Sequence, residues 1–177
     1  DINKIAFTGS TQVGKLIQKS LAGRDVGLTL ELGGKAANIV YEDAAIDQAV
    51  EGVVNGIFFN QGHVCCAGSR LLLQESIHDE FVKKLEKRMQ SLRVGNPLDK
   101  NTDIGAINSK EQLDKITGLV NEGVEDGGEL FQTECELPGN GFWFRPTLFT
   151  NVQPSYSIAR EEIFGPVLTT LTFRTPD

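Results

Sequence analysis

The sequence predicts an α/β fold, a parallel or mixed open sheet with helices on both faces. Three observations carry that reading. Short apolar runs of strand length alternate with segments of about ten residues or more whose apolar positions recur at helical spacing. Glycine-rich turns separate them, and nothing reads as a linker, an internal repeat or low complexity. The length of 177 residues, 40% of them hydrophobic, is enough to bury a substantial core.

Ile5-Ala6-Phe7 is a short apolar strand that runs through Thr8-Gly9-Ser10 into a helix over residues 11–21. Val13, Leu16, Ile17 and Leu21 share one face of that helix, and Gly23 is its C-cap. Leu28-Thr29-Leu30 and residues 37–41 are strands on either side of the Gly33-Gly34 turn. Asp43 or Asp47 caps a helix over residues 46–59. Arg70-Leu71-Leu72-Leu73-Gln74 is a strand, followed by a helix over residues 77–92. There Ile77, Phe81, Leu85 and Met89 recur every fourth position, with Val82 and Leu92 widening the stripe, the pattern of a core-facing helix rather than a partner-binding one. Gly95-Asn96-Pro97 breaks the chain before a helix over residues 109–124. Residues 129–131, 142–152 and 167–173 supply the remaining strands, with turns at Gly127-Gly128 and Pro138-Gly139-Asn140-Gly141.

Charge and cysteine usage exclude several classes. A net charge of −7 with no basic run argues against a nucleic-acid surface, which needs clustered Lys and Arg. No apolar stretch approaches the roughly 20 residues of a membrane helix, so no membrane span is expected. The first residues have neither the basic start nor the apolar run of a signal peptide. They open within a strand, which reads as a piece of a longer chain. Three cysteines, an odd count with two adjacent, make neither a disulfide framework nor a Cys-x-x-Cys metal site, so no metal is expected. They point to a reducing compartment, the cytoplasm, with the mitochondrion as the alternative.

Two segments carry chemistry. Cys65 sits in Phe58-Phe59-Asn60-Gln61-Gly62-His63-Val64-Cys65-Cys66-Ala67-Gly68-Ser69, thirty-four positions (65 − 31) after the glutamate of Glu31-Leu32-Gly33-Gly34-Lys35. A thiol that attacks carbonyls once deprotonated and a carboxylate that takes protons are the pair a thioester-forming enzyme must bring together. Glu31 alone reads either as a solvated charge at a strand end or as a partly buried base with a raised pKa. A third segment, Gly9-Ser10-Thr11-Gln12-Val13-Gly14-Lys15-Leu16, follows a strand and opens a helix. It satisfies all of the P-loop pattern except the last position, where Leu16 replaces the Ser or Thr that holds magnesium, and this speaks against an NTPase. The segment is then either a tight turn that needs glycine or an anion site at a helix start.

Together the thiol and glutamate segments, at their separation, resemble the active-site signatures of the aldehyde dehydrogenase superfamily. Glu161-Glu162-Ile163-Phe164-Gly165-Pro166 is a further match, with Glu162 ninety-seven positions (162 − 65) after Cys65. The resemblance implies that Cys65 is the nucleophile and Glu31 the base that activates the hydrolytic water. It implies cofactor contacts at Gly9, Ser10, Gly14 and Leu32, at Glu162 on the nicotinamide ribose and at Phe164 against the nicotinamide. Cys66 lies four residues after Gly62 where the family nucleophile lies three after, and Cys135 reads as an inert core thiol. Gly95-Asn96-Pro97 and Arg145-Pro146-Thr147 resemble family turns, and Asn38 is a packing match without an assigned role. His63 departs from the glutamine or glutamate usual in the family; a histidine there is either packing or a titrating neighbour of the thiol.

The activity implied is oxidation of a small-molecule aldehyde to a carboxylic acid with NAD or NADP, through a Cys-bound thiohemiacetal and thioester. Members that pass the acyl group to coenzyme A generally lack the glutamate, so its presence favours hydrolysis. The resemblance further implies residues 1–32 as the last part of a dinucleotide-binding domain and residues 33–177 as a truncated catalytic domain. By itself such a piece is expected to be inactive, and its parent to be a homo-oligomer. The rival reading is a catalytically silent scaffold or protein-interaction domain of the same family, which has no chemical need of Cys65, Glu31 or Glu162.

Overall fold

The alternation of strands and helices is present in a computed structural model of the chain, which describes residues 2–175. The chain divides into two units, Asp1–Gly34 and Lys35–Asp177. In the first, strand β1 (Lys4–Thr8) and strand β2 (Gly27–Glu31) pair in parallel, joined by helix α1 (Thr11–Ser20). Ser10 caps the helix, its Oγ accepting from the Val13 N–H at 3.3 Å. The apolar face read for α1 is only partly used. Val13 is 41% and Leu16 64% exposed, and the buried residue is Gly14. Two strands offer too narrow a surface to cover a whole stripe, and the contact narrows to Gly14 against Leu32. A Cβ on Gly14 would lie 2.4 Å from Leu32 Cδ2, so only glycine admits this approach.

The second unit holds a five-stranded sheet in the order β3 (Ala37–Val40), β4 (Arg70–Gln74), β7 (Val167–Phe173), β6 (Thr147–Thr150), β5 (Glu129–Gln132). All neighbours are parallel except β5 and β6, so the sheet is mixed. Side chains alternate across it. Leu148 joins Leu71, Leu73 and Leu168 in a core with helix α2 (Ile46–Phe58) and helix α3 (His78–Met89). Its neighbour Phe149 joins Val167 in a second core on the opposite face, with helix α4 (Lys110–Glu125) and the four-residue helix α5 (Ser157–Arg160). Phe81, Leu85 and Met89, the stripe read from the sequence, are fully buried, each worth about 1.5–3 kcal/mol of transfer free energy. On the outer side of the helix pair, Lys84 bonds Asp47 and Arg88 bonds Glu51, each at 2.7 Å.

Several elements differ from the sequence reading. Neither Asp43 nor Asp47 caps α2: the N-cap is Ala45 with no side-chain bond, and Asp47 sits in the first turn, where its charge favours the helix start. The helix expected from residue 77 begins with a 3-10 turn, Glu75–Ile77, and stops at Met89. The strand expected over 142–152 pairs only at Thr147–Thr150. Upstream, Phe142 O is drawn to the Ile107 N–H at 2.8 Å, Arg145 Nε to Cys135 O at 3.0 Å, and Pro146 has no N–H to give. Downstream, Asn151 turns left-handed at φ 52°. Among the described residues no helix is long and apolar enough to cross a membrane.

Candidate active site

In the second unit, three segments enter parallel neighbouring strands from the same end: Lys35 before β3, the Cys65 segment before β4, and Glu162–Phe164 before β7. Register therefore sets them side by side, although they are up to about 130 positions apart in sequence.

Helix α2 ends at Phe58, and Asn60 (φ 48°, ψ 40°), Gln61 (φ 48°, ψ 31°) and Gly62 (φ 74°) are left-handed in succession. Left-handed backbone costs a side-chain-bearing residue about 1–2 kcal/mol, so neighbours must hold it. Gln61 Oε1 accepts from the Gly105 N–H at 3.2 Å, and Gln61 Nε2 donates to Asn60 Oδ1 at 3.1 Å. Asn60 Nδ2 donates to His63 O at 3.2 Å, while the His63 N–H returns to Asn60 O at 2.9 Å. The run turns the chain sharply into a second bend, closed by the Ala67 N–H to Val64 O at 3.0 Å. Cys65 and Cys66 are the two central residues of that bend, and both are exposed. Beyond it the Gly68 N–H bonds Gly56 O at 3.3 Å, and the Asn38 side chain wedges against Gly68. Ser69 O accepts from both the N–H and the Oγ1 of Thr169, at 3.0 and 3.2 Å. The thiol stands on a bend fixed at both ends.

The 162–165 segment is held as firmly. Gln112 of α4 donates Nε2 to the carbonyls of Ile163 and Phe164, at 2.8 and 2.9 Å. Phe164 is left-handed at φ 56°. The two segments touch at two places. A Cβ on Gly62 would lie 2.2 Å from Gly165 O, so the thiol segment presses its glycine onto that carbonyl. The His63 ring stacks on the Phe164 ring, centroids 5.4 Å apart and planes 9° from parallel. Burial pushes the His63 pKa down, so the imidazole is neutral at neutral pH.

Sequence reasoning quoted Lys35 but gave it no role. Its Nζ is buried with no hydrogen-bond partner, as is Arg70 Nε. Burial, then the Arg70 charge, pushes the Lys35 pKa down to about 8, against the pull of Glu162 and Glu161. Lys35 is thus a cation within electrostatic reach of Glu162. The signal was local: a lysine followed by Ala36 and Ala37 at the head of an apolar strand. Cys135 is half-buried, its Sγ 3.3 Å from Thr133 Oγ1.

The first unit carries the other candidates. Gly9 and Glu31 meet at the carboxyl ends of β1 and β2, the Gly9 N–H donating to Glu31 O at 3.0 Å. Ser10 Oγ is committed to capping and Gly14 to Leu32. The first turn of α1 carries no acid, so the positive end of the helix is left for an anion. Glu31 is exposed, not partly buried as the sequence reading allowed. On β2 the inward positions are Leu28 and Leu30, and the period of two puts Glu31 on the outer face with Gly27 and Thr29. Gly9, Ser10, Gly14, Glu31 and Leu32 therefore belong to the first unit, and Cys65, Glu162 and Phe164 to the second.

The aldehyde dehydrogenase family model matches residues 1–177. The chain is 50% identical to retinal dehydrogenase 2 of Taeniopygia guttata, over 99% of this chain and 34% of that protein. It is 45% identical to the mitochondrial aldehyde dehydrogenase of Homo sapiens, over 99% of this chain and 34% of that protein. Among solved structures it superposes on an NAD-dependent aldehyde dehydrogenase from Sinorhizobium meliloti with a TM-score of 0.92 and 42% identity, covering 98% of this chain and 35% of that one. A betaine aldehyde dehydrogenase from Staphylococcus aureus in complex with NAD+ gives 0.92 at 37% identity, covering 98% and 35%. The chain spans about a third of the length of these relatives. The match over every residue, together with the fold shared with these structures, shows that this chain belongs to the aldehyde dehydrogenase family.

Proposed function

We propose that this chain is the central part of an NAD(P)-dependent aldehyde dehydrogenase that oxidises a small-molecule aldehyde to a carboxylic acid. Residues 1–32 would close its dinucleotide-binding domain and residues 33–177 would form most of its thiol-bearing domain. The observation that carries the reading is the Cys65 bend: an exposed thiol on a turn pinned to helix α2 and strand β7 and pressed against the Phe164 segment. Chemistry that bonds a substrate to a side chain needs that side chain accessible and its mount rigid.

The residues fit a nicotinamide dinucleotide. The β1–α1 loop offers helix N–H groups with no acid in the first turn, at a place where Gly9 and Gly14 leave no room for a Cβ. Gly9, Ser10, Gly14 and Leu32 would hold its pyrophosphate side, Glu162 its nicotinamide ribose and Phe164 its ring. When bound, that group accepts hydride. The Cys65 thiolate adds to the aldehyde carbon, forming the C–S bond and a thiohemiacetal. Loss of hydride from that carbon leaves a thioester on Cys65. Glu31 takes a proton from water, whose oxygen attacks the thioester carbon and expels the thiolate with the acid as product. Exposure suits Glu31 to meet water.

The same reading makes the full-length chain a homo-oligomer of a reducing compartment, supported by three free cysteines and by family membership. Turnover is expected from the full-length chain and not from residues 1–177 alone. Limiting iodoacetamide followed by peptide mapping should label Cys65 ahead of Cys66 and Cys135, and Cys65→Ala should abolish aldehyde-dependent NADH formation. Undiminished turnover in Cys65→Ala would refute the proposal.

A further inference from the structure

We infer that His63 is a positioning residue: its ring, stacked on Phe164, fixes the aromatic face offered to the nicotinamide and couples that face to the Cys65 bend. The inference rests on the proposed role of Phe164 as the nicotinamide contact.

Phe164 is unusual in how much of it is already fixed. Its backbone is left-handed, its carbonyl and that of Ile163 are both held by Gln112, and the next residue is pressed by Gly62. What remains free is the orientation of the ring. That ring stacks on His63, 5.4 Å away and within 9° of parallel, the offset-stacked geometry aromatic pairs prefer. His63 itself is tied by both backbone groups to Asn60. Its backbone is therefore a fixed mount, and the burial of Nε2 confines the ring it carries.

What the imidazole contributes is its flat face. A histidine retained for hydrogen bonding has partners, yet His63 Nε2 is buried with none. Glutamine or glutamate, the residues the resemblance leads one to expect here, have no ring to stack. One residue, Val64, separates that mount from the thiol, so any movement of the bend is passed to the ring. Thiol placement and cofactor placement become one variable in this chain.

A double-mutant cycle in the full-length chain tests the idea, read as KM for NAD(P) against kcat. His63→Ala and Phe164→Ala should each raise the cofactor KM about 3–10-fold, the range of one aromatic pair, with a smaller change in kcat. The double variant should be no worse than Phe164→Ala alone, because the two removals delete one interaction. His63→Phe restores a stacking ring and should bring the cofactor KM back to within about twofold of the parent. Multiplying single effects, or a His63→Phe variant as impaired as His63→Ala, overturns the role. If Phe164→Ala raises the cofactor KM and His63→Ala does not, the positioning role fails while the functional reading stands. If the unaltered full-length chain oxidises no aldehyde with NAD or NADP, that reading fails and this one with it. Should His63→Ala not fold, as judged by its thermal midpoint, His63→Gln replaces it in the cycle with the same expectations.

Discussion

Gly62→Ala isolates the contact that joins the two halves of the thiol-bearing site. The new Cβ would lie 2.2 Å from Gly165 O and 2.6 Å from Gly165 C, where real Cβ atoms essentially never come within 3.0 Å. The segments must part by at least 0.8 Å (3.0 − 2.2). Neither side yields easily. Gly165 O accepts from the Val167 N–H at 2.8 Å, and the site of a Gly165 Cβ is 2.6 Å from Ile116 Cδ1. Behind Gly62 stands Ile57, fully buried in α2. The left-handed backbone, φ 74°, adds about 1–2 kcal/mol for alanine. A displacement near 1 Å in a reacting geometry costs roughly 10²-fold in rate, so kcat/KM for aldehyde oxidation by the full-length chain should fall by about that factor. Iodoacetamide should still label Cys65, because the bend moves and is not lost. Gly23→Ala is the control: its φ is 78°, but nothing lies within 4 Å of the added Cβ, so it carries the backbone cost without the clash. It should lower the thermal midpoint and leave kcat/KM near the parent value. A Gly62→Ala variant within about threefold of the parent, or a Gly23→Ala variant equally impaired, refutes the reasoning.

Two further outcomes can be measured on the same protein. With Glu31→Gln, thioester formation should survive while hydrolysis slows by about 10²–10⁴-fold, giving a burst of NADH near one equivalent and an acyl adduct on the Cys65 peptide; a slowed first turnover without adduct assigns Glu31 an earlier step. For Lys35, the unfolded chain holds the proton to 10.5 and the folded chain releases it near 8, so between those values the unfolded state binds more protons and stability rises with pH. Below pH 8 the full cost, about 3 kcal/mol, bears on the fold. Lys35→Met should therefore raise the denaturation midpoint at pH 7, with an advantage that shrinks towards zero by about pH 10.5. An advantage independent of pH, or a loss at pH 7, contradicts a charged, partnerless Lys35.

Where patterns are local, the sequence showed them. Arg70–Gln74 and Val167–Phe173 stand as strands over the residues read for them, because apolar runs bounded by turn residues need no distant information. The Phe81–Leu85–Met89 stripe went to the core as its period required. The strand over 142–152 was misread because its first half satisfies its backbone outside the sheet, through Ile107 and a proline. The left-handed run at Asn60, Gln61 and Gly62 left no clear trace: glutamine is not a residue that announces such a conformation. In the site, the motif residues were legible one by one, but their relations were not. Nothing near position 63 says that its ring will meet position 164, nor does anything near 35 name Glu162 as the opposing charge. Those pairings follow from β4 lying beside β7 and β3, which is a property of the sheet.

The bond between Ser69 and Thr169 spans 100 positions of chain, and it has a consequence for the order in which the protein assembles. Helix α2 and the Asn60–His63 bonds can form as soon as those residues leave the ribosome, since all are near neighbours. The far wall of the bend cannot. It requires β7, and loop-closure entropy over so long a separation delays that pairing until the rest of the sheet supports it. A nascent chain thus displays Cys65 and Cys66 well before the segment that braces them exists. During that interval the thiols stand on a bend that lacks its far wall, so the rate at which β7 docks sets how long Cys65 and Cys66 go without a fixed geometry, although both stay exposed in the finished fold.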